Sequence, residues 1–311
     1  MSDQPSPGSR VSVRYRVTGG MTDVIGVLQS GAPQVVVRPK TGAVVSIAPA
    51  DVVAMRELSA VPVRASEIRS LEHAAALAWP GIEQHWHDGW LLRAGGGFTS
   101  RANSAVPLDF SSSLAAIPAI VEWYAERGLP AWLGLPERLV PVRAIGAGVG
   151  IKHTRVLVAD LQPQPADSDV RLLSSPDADW LAAYEREVPP AVLTAVTDGE
   201  LTFAQTLVSA PGHGAVGRGA VTSAPDGTRW LGISAVHVTS AQRRRGLART
   251  VCAALQNWGV ERGATRSYVQ VLVENTAAAA LYDSMGYRLH HQHRYVDAGA
   301  LTDRHGTGRR L

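Results

Sequence analysis

A chain of 311 residues with a single cysteine, Cys252, cannot build an internal disulfide framework. It has no apolar run long enough to span a bilayer. The opening Met1-Ser2-Asp3-Gln4-Pro5-Ser6-Pro7-Gly8 also lacks the hydrophobic stretch of a signal peptide. These absences point to a cytoplasmic protein without a membrane partner. Charge of one sign is missing too, since 30 Lys and Arg face 27 Asp and Glu. The balance is 6 against 4 over residues 1–60, 9 against 9 over 61–165 and 15 against 14 over 166–311. No segment holds the basic surplus on which nucleic-acid binding draws, so a nucleic-acid partner is not expected. Ten histidines include His85-x-His87 and His290-His291-x-His293, but there is no helical His-x-x-x-His pair, and no functional metal is expected. Apolar material is plentiful. A composition 45% hydrophobic and 18% charged supplies enough core for two or three domains.

The most informative stretch is Val236-His237-Val238-Thr239-Ser240-Ala241-Gln242-Arg243-Arg244-Arg245-Gly246-Leu247-Ala248. An apolar strand over 231–238 runs into a loop and then into a helix over 247–258, with Leu247, Val251, Leu255 and Trp258 on one face. Such a loop aims backbone N–H groups at one anion, while the positive end of the helix dipole points the same way. Gly246 and Ala248 are small enough for close approach of phosphate oxygens, and Arg243, Arg244 and Arg245 add charge at the mouth. The plainer reading of the three arginines is a solvated basic turn. A Walker loop would need Gly-Lys-Ser/Thr where the chain has Gly246-Leu247-Ala248. A dinucleotide fingerprint is absent as well, because Gly95-Gly96-Gly97 lacks the required spacing.

Downstream, a second strand over 266–273 precedes Glu274-Asn275-Thr276-Ala277-Ala278-Ala279-Ala280-Leu281-Tyr282-Asp283-Ser284-Met285-Gly286-Tyr287, an alanine-rich helix closed by Gly286. With these two motifs in this order, the segment from about 169 to 296 resembles the GNAT N-acetyltransferase superfamily. That family carries Arg/Gln-x-x-Gly-x-Gly/Ala in the loop and Asn-x-x-Ala-x-x-x-Leu-Tyr in the later helix.

The resemblance implies an α+β GNAT fold, a mixed central sheet flanked by helices, and acetyl-CoA as acyl donor. It implies that residues 243–248 hold the pyrophosphate and that the backbone of the strand segment Val236, His237 and Val238 lines the pantetheine arm, with one N–H polarising the thioester carbonyl. Asn275 would lie on the pantetheine side, and Tyr282 would be the general acid for the departing thiolate. Some members place Glu or His on the strand, eleven or nine residues before the loop's first Arg/Gln. Here those positions hold Gly232 and Ser234, so Ser234 stands at a catalytic position without being a strong base. Strand alternation turns the His237 side chain away from Val236 and Val238, which favours a structural role. Glu185, Glu187, Asp198 and Glu200 belong to the acceptor side, as substrate contacts or as an ordinary solvated acidic face.

Residues 1–60 contain short β-branched runs at 11–17, 23–28, 34–38 and 43–47 with turns between them, Lys40-Thr41-Gly42 among these, and suggest a small SH3-like or Tudor-like barrel. Such barrels bind peptides or serve as structural parts. Pro62 marks its end. Residues 65–165 read as a degenerate GNAT-like half that repeats the catalytic segment 166–311. Trp123-Tyr124-Ala125-Glu126-Arg127-Gly128 parallels Trp258-Gly259-Val260-Glu261-Arg262-Gly263, and Ser104-Ala105-Val106 parallels Ser234-Ala235-Val236. Where the second copy has its arginine loop, the first has Asp109-Phe110-Ser111-Ser112-Ser113, a poor pyrophosphate site. In the polar run 95–104, Arg101 and Asn103 are the candidate substrate contacts, if that run is more than a turn entering a strand.

Together these features imply an acetyl-CoA-dependent N-acetyltransferase in which a primary amine, of a small molecule or a protein, attacks the thioester directly. The alternative is a non-catalytic coenzyme A sensor or protein-interaction module built around the N-terminal barrel.

Overall fold

The computed structural model describes residues 5, 7–59, 62–140, 150–165, 169–207 and 214–301. The chain divides into two compact units, one comprising Met1–Val63 with Arg288–His291 and the other Arg64–Tyr287 with Gln292–Leu311.

The first unit is an antiparallel sheet of β1 (Arg10–Val17), β2 (Gly20–Ser30), β3 (Val35–Pro39), β4 (Val45–Ile47) and β5 (Val52–Leu58), in the order β4-β3-β2-β1-β5. Alternate residues build its core, namely Val11 and Val13 from β1, Val24 and Leu28 from β2, Val35 and Val37 from β3, and Ile47 from β4. β5 is a strand that the sequence pattern does not announce. It pairs with β1 along its length, yet Val53 faces water and the period-2 signal is lost.

The second unit is organised by an eight-stranded sheet. Before it come helix α1 (Ala65–Ala78), a three-stranded sheet of β6 (Glu83–His87), β7 (Trp90–Ala94) and β8 (Val106–Pro107), and helix α2 (Ile117–Ala125). The large sheet then draws on β9 (Trp132–Pro136), β10 (Gly150–Asp160), β11 (Val170–Leu173), β12 (Glu200–Thr206), β13 (Ala215–Ser223), β14 (Arg229–Val238), β15 (Arg266–Leu272) and β16 (Arg288–Asp297). Helices α3 (Ala178–Tyr184), α4 (Pro190–Leu193), α5 (Leu247–Glu261) and α6 (Thr276–Asp283) complete it, and the strand order is β11-β12-β13-β14-β15-β10-β16-β9.

Strands β11 to β14 pair antiparallel, whereas β14 and β15 are parallel and joined through α5. Helix α5 buries Val251, Leu255 and Trp258, each contributing about 1.5–3 kcal/mol if fully buried. Glycines in β13 admit it: a Cβ at Gly217 would press on Val251, and one at Gly219 on Leu255. Helix α1 covers the opposite side of the sheet, where Leu71, Ala74 and Ala75 pack with Trp230 and Tyr268. Residues on both sides of position 165 therefore share cores and a sheet within one unit.

The repeat read from sequence is visible in topology. β6, β7 and β8 are antiparallel, α2 follows, and the next strand, β9, returns parallel through the Ala105–Leu133 bridge. β12, β13, β14, α5 and β15 follow the same order. A further correspondence lies in buried arginines. Arg218 stands in register with Ser234 across β13 and β14. Continuing the β7–β8 register sets Arg93 opposite Ser104, where its side chain donates to the Ser104 carbonyl and Oγ.

Candidate active site

Where β14 and β15 run side by side, pairing extends from Trp230–Arg266 to Ile233–Val269 and stops, although both strands continue. The cause is local. Ala235 adopts φ +52°, and the β13 register slips so that Val216 faces His237 while Arg218 faces Ser234. One extra residue on β14 is a β-bulge, which bends the strand away from its neighbour. The edge of β14 from Ser234 to Val238 is left without a β15 partner. Its carbonyls and N–H groups form an open rail leading toward the start of α5.

The rail ends in a turn whose backbone donors are free. Arg244 and Gly246 both lie in the left-handed region, at φ +64° and +81°. Among the described residues, the N–H groups of residues 244–248 make no hydrogen bond. Gly246 is the N-cap of α5 and offers no side-chain acceptor, and the first turn carries no acidic residue. These free donors stand at the positive end of the helix dipole. Arg243, Arg244 and Arg245 are exposed around it, Arg243 donating to the Val238 carbonyl at 3.3 Å and Arg245 to Gln242 at 3.0 Å. Leu247 and Ala248 are half-buried in the first turn. The corresponding turn of the first repeat is closed, because Ser113 Oγ accepts from Ala115 N at 3.2 Å and Asp109 Oδ1 accepts from Ser111 N at 2.8 Å.

Asn275 stands just before α6 and Tyr282 lies on it. Asn275 caps that helix, its Oδ1 accepting from Ala278 N at 3.1 Å. Tyr282 is buried and meets Tyr287 edge-on at 5.4 Å between ring centroids. Burial first, and then the neighbouring Cys252 and Tyr287, hold its phenol well above the ordinary tyrosine range, so it keeps its proton. Burial likewise pushes the Cys252 thiol up to about 12. Arg249 ties α5 to the end of α6 through Ser284 Oγ.

On the sheet face opposite α5, a pocket opens where β14 and β15 part, lined by Trp79, Arg101, Gly232, Ser234, Tyr268 and Gln270 among others. Ser234 Oγ accepts from Trp79 Nε1 at 3.0 Å. At Gly232, where some GNAT enzymes carry a carboxylate, a Cβ would collide with the Tyr268 hydroxyl, so no larger side chain fits. His237 is paired with Glu185, Nε2 to Oε2 at 2.9 Å. Glu185 is the left-handed C-cap of α3. Glu200 does not join this cluster, because it binds Arg229 and Arg262 at the far end of the sheet. Of the two polar candidates in the run 95–104, Asn103 serves its own loop, accepting from Gly95 and Gly97 N–H and donating to the Phe98 and Thr99 carbonyls. Arg101 lines the pocket. Among the described residues, no cluster of three or more His, Cys, Asp or Glu could hold a metal, and no helix is long and apolar enough to cross a membrane.

Sequence reasoning missed Trp79, Tyr268, Arg218 and the bulge. Arg218 carried a readable signal, a lone charge between two glycines in an apolar strand. Its guanidinium is fully buried, donates to the Ala78, Leu193 and Ala195 carbonyls and lies 4.3 Å over the Trp79 ring.

Residues 65–296 match the family model described as "Probable histone acetyltransferase Rv0428c C-terminal", and residues 5–56 match "Rv0428c N-terminal Sm-like domain". The chain belongs to the Rv0428c family. It is 48% identical over 306 residues to the Mycobacterium tuberculosis protein named "Probable histone acetyltransferase Rv0428c", covering 97% of this chain and 98% of that one. It is 25% identical over 260 residues to "Uncharacterized N-acetyltransferase YobR" of Bacillus subtilis, covering 74% and 98%. Among solved structures, a GCN5-related N-acetyltransferase from Kribbella flavida superposes with a TM-score of 0.53 at 16% identity, over 76% of this chain and 96% of that one. A GNAT-family protein from Novosphingobium aromaticivorans does so at 0.51 and 17%, over 72% and 95%. The Rv0428c-family chain is thus a GNAT acyltransferase behind a small N-terminal β domain. The family model describes that domain as Sm-like, where the sequence had suggested an SH3-like or Tudor-like barrel.

Proposed function

We propose that this protein is an acetyl-CoA-dependent N-acetyltransferase in which the acceptor amine attacks the thioester directly. The observation that carries this reading is the bulge at Ala235, which opens β14 from β15 and leads an unpaired backbone edge to the uncapped start of α5. The free N–H groups of residues 244–248 fit a pyrophosphate, and nothing lies within 4 Å of a Cβ at Gly246 to obstruct it. Val236, His237 and Val238 offer backbone partners to the pantetheine arm, and an N–H on this stretch polarises the thioester carbonyl. The acetyl group supplied by the bound coenzyme is then exposed to the pocket containing Ser234. Ser234 Oγ, fixed by Trp79, orients the amine. His237, held by Glu185, is the imidazole on the open stretch and accepts the amine's proton. Tyr282 retains its proton and delivers it to the departing thiolate.

Two features support direct attack over an acetyl-enzyme. Cys252 is the sole cysteine, is fully buried and is held as a thiol. Ser234 Oγ has an indole N–H as its hydrogen-bond partner and, among the described residues, is bonded to no base that would activate it. Initial rates with both substrates varied should give intersecting double-reciprocal lines. Parallel lines, the mark of an acetylated enzyme, would rule out direct attack.

A further inference from the structure

The pocket beside Ser234 has an unusual charge pattern. Among the described residues, Ala75, Trp79, Arg101, Ile233 and the strand residues around Ser234 line it, and none of them is a carboxylate. Arg101 is half-buried there, 5.7 Å over the Trp79 ring, and among the described residues it makes no hydrogen bond and no ion pair. Several other arginines of this unit pair with acids: Arg127 with Glu83, Arg171 with Asp177, Arg262 with Glu200. Behind Trp79 lies a second cation, Arg218, held by carbonyls in place of carboxylates, with Nη1 unpartnered among the described residues. Arg101 and Arg218 repel one another.

The backbone around Arg101 is tied down. The loop carrying it is closed by the four hydrogen bonds of Asn103, and Lys152 Nζ donates to Ser100 Oγ at 2.7 Å. A guanidinium positioned at a pocket wall without a counter-ion is a preorganised anion receptor, since its fork matches the oxygens of a carboxylate or phosphate.

We infer that the acceptor is an amine that also bears an anionic group, a carboxylate or a phosphate, which Arg101 binds while the amine reaches toward Ser234. This inference rests on the acetyltransferase reading and narrows its substrate class. The same charge serves the chemistry, because a positive wall disfavours the ammonium form and admits the amine neutral. It also disfavours a lysine-rich tail, whose further cations would meet Arg101 without compensation.

The test measures thiol release from acetyl-CoA by the full-length protein with matched acceptors. L-α-Amino acids are compared with their carboxamides, phosphoethanolamine with ethanolamine, and a lysine-rich peptide is included. For the wild type, one anionic class should exceed its neutral partner by at least about 10-fold in kcat/KM, the scale of one charge-assisted hydrogen bond. The class that does so distinguishes carboxylate from phosphate. Arg101→Gln should remove that advantage through KM and leave the calorimetric Kd for acetyl-CoA unchanged. Arg101→Lys should restore part of the advantage, which separates lost recognition from lost folding. Neutral or lysine-rich acceptors equalling the anionic ones in the wild type would overturn the inference, as would an Arg101→Gln variant that binds acetyl-CoA more weakly. The acetyltransferase reading fails by a different sign, absence of acetyl-CoA binding to the wild type, and the inference then falls with it.

Discussion

Trp79 Nε1 donates to Ser234 Oγ at 3.0 Å, joining the end of α1 to the strand that opens the site. The same indole lies beneath Arg218, and its backbone carbonyl accepts from Arg93 Nη1 at 3.2 Å. One residue thus touches the buried arginine of each repeat, so the first repeat supplies a wall of the pocket whose floor comes from the second.

Arg218 should be indispensable for stability. Removing its guanidinium in Arg218→Met leaves the Ala78, Leu193 and Ala195 carbonyls without this donor. The loss should exceed about 3 kcal/mol, at about 1–3 kcal/mol for each buried acceptor left unsatisfied. Urea unfolding followed by tryptophan fluorescence measures it, and a loss below about 1 kcal/mol would show that these bonds are replaced by others.

The bulge should be separable from the coenzyme anchor. Ala235→Gly suits φ +52° and should leave activity intact. Ala235→Val places a β-branched residue in the left-handed region, at a cost of roughly 1–2 kcal/mol. By displacing the open edge it should lower kcat about 100-fold, the effect of a misplacement on the order of 1 Å. Equal rates for Ala235→Gly and Ala235→Val would deny the bulge its role.

Much of this was legible in the sequence, and the rest was hidden for physical reasons. The α5 turn could be read because glycine and small residues at fixed spacing follow directly from what an anion requires of backbone. The strands of the first unit were read where burial alternates, as at Val11 and Val13, and missed at β5, where it does not. Arg101 was visible as a candidate, yet the neighbouring candidate Asn103 was indistinguishable from it until hydrogen bonds showed Asn103 closing a loop while Arg101 lines a pocket. The bulge left no mark, because a left-handed alanine is imposed by tertiary packing. The Glu185–His237 pair joins residues 52 positions apart, a contact that no local pattern encodes.

Tyr282→Phe should lower kcat by about 100-fold or more, within the range of general-acid catalysis, with acetyl-CoA affinity nearly unchanged. Because the phenol's pKa is raised well above 10, the proton-bearing form persists through that pH. The wild type should therefore show no loss of activity from Tyr282 ionisation between pH 7 and 10. Stopped-flow thiol detection across that range checks both statements, and a fall in affinity that accounts for the lost rate would assign Tyr282 to binding.

The uncapped turn before α5 is best tested by calorimetric titration of acetyl-CoA into the wild type, Gly246→Asn and Gly246→Glu. Asparagine tolerates the left-handed backbone, and a Cβ at this position has open space around it, so both variants should fold. Binding retained in the wild type and Gly246→Asn but abolished in Gly246→Glu, whose carboxylate would occupy the anion site, is the result expected if residues 244–248 hold the pyrophosphate. Undiminished binding to Gly246→Glu would contradict it and move the coenzyme away from the turn.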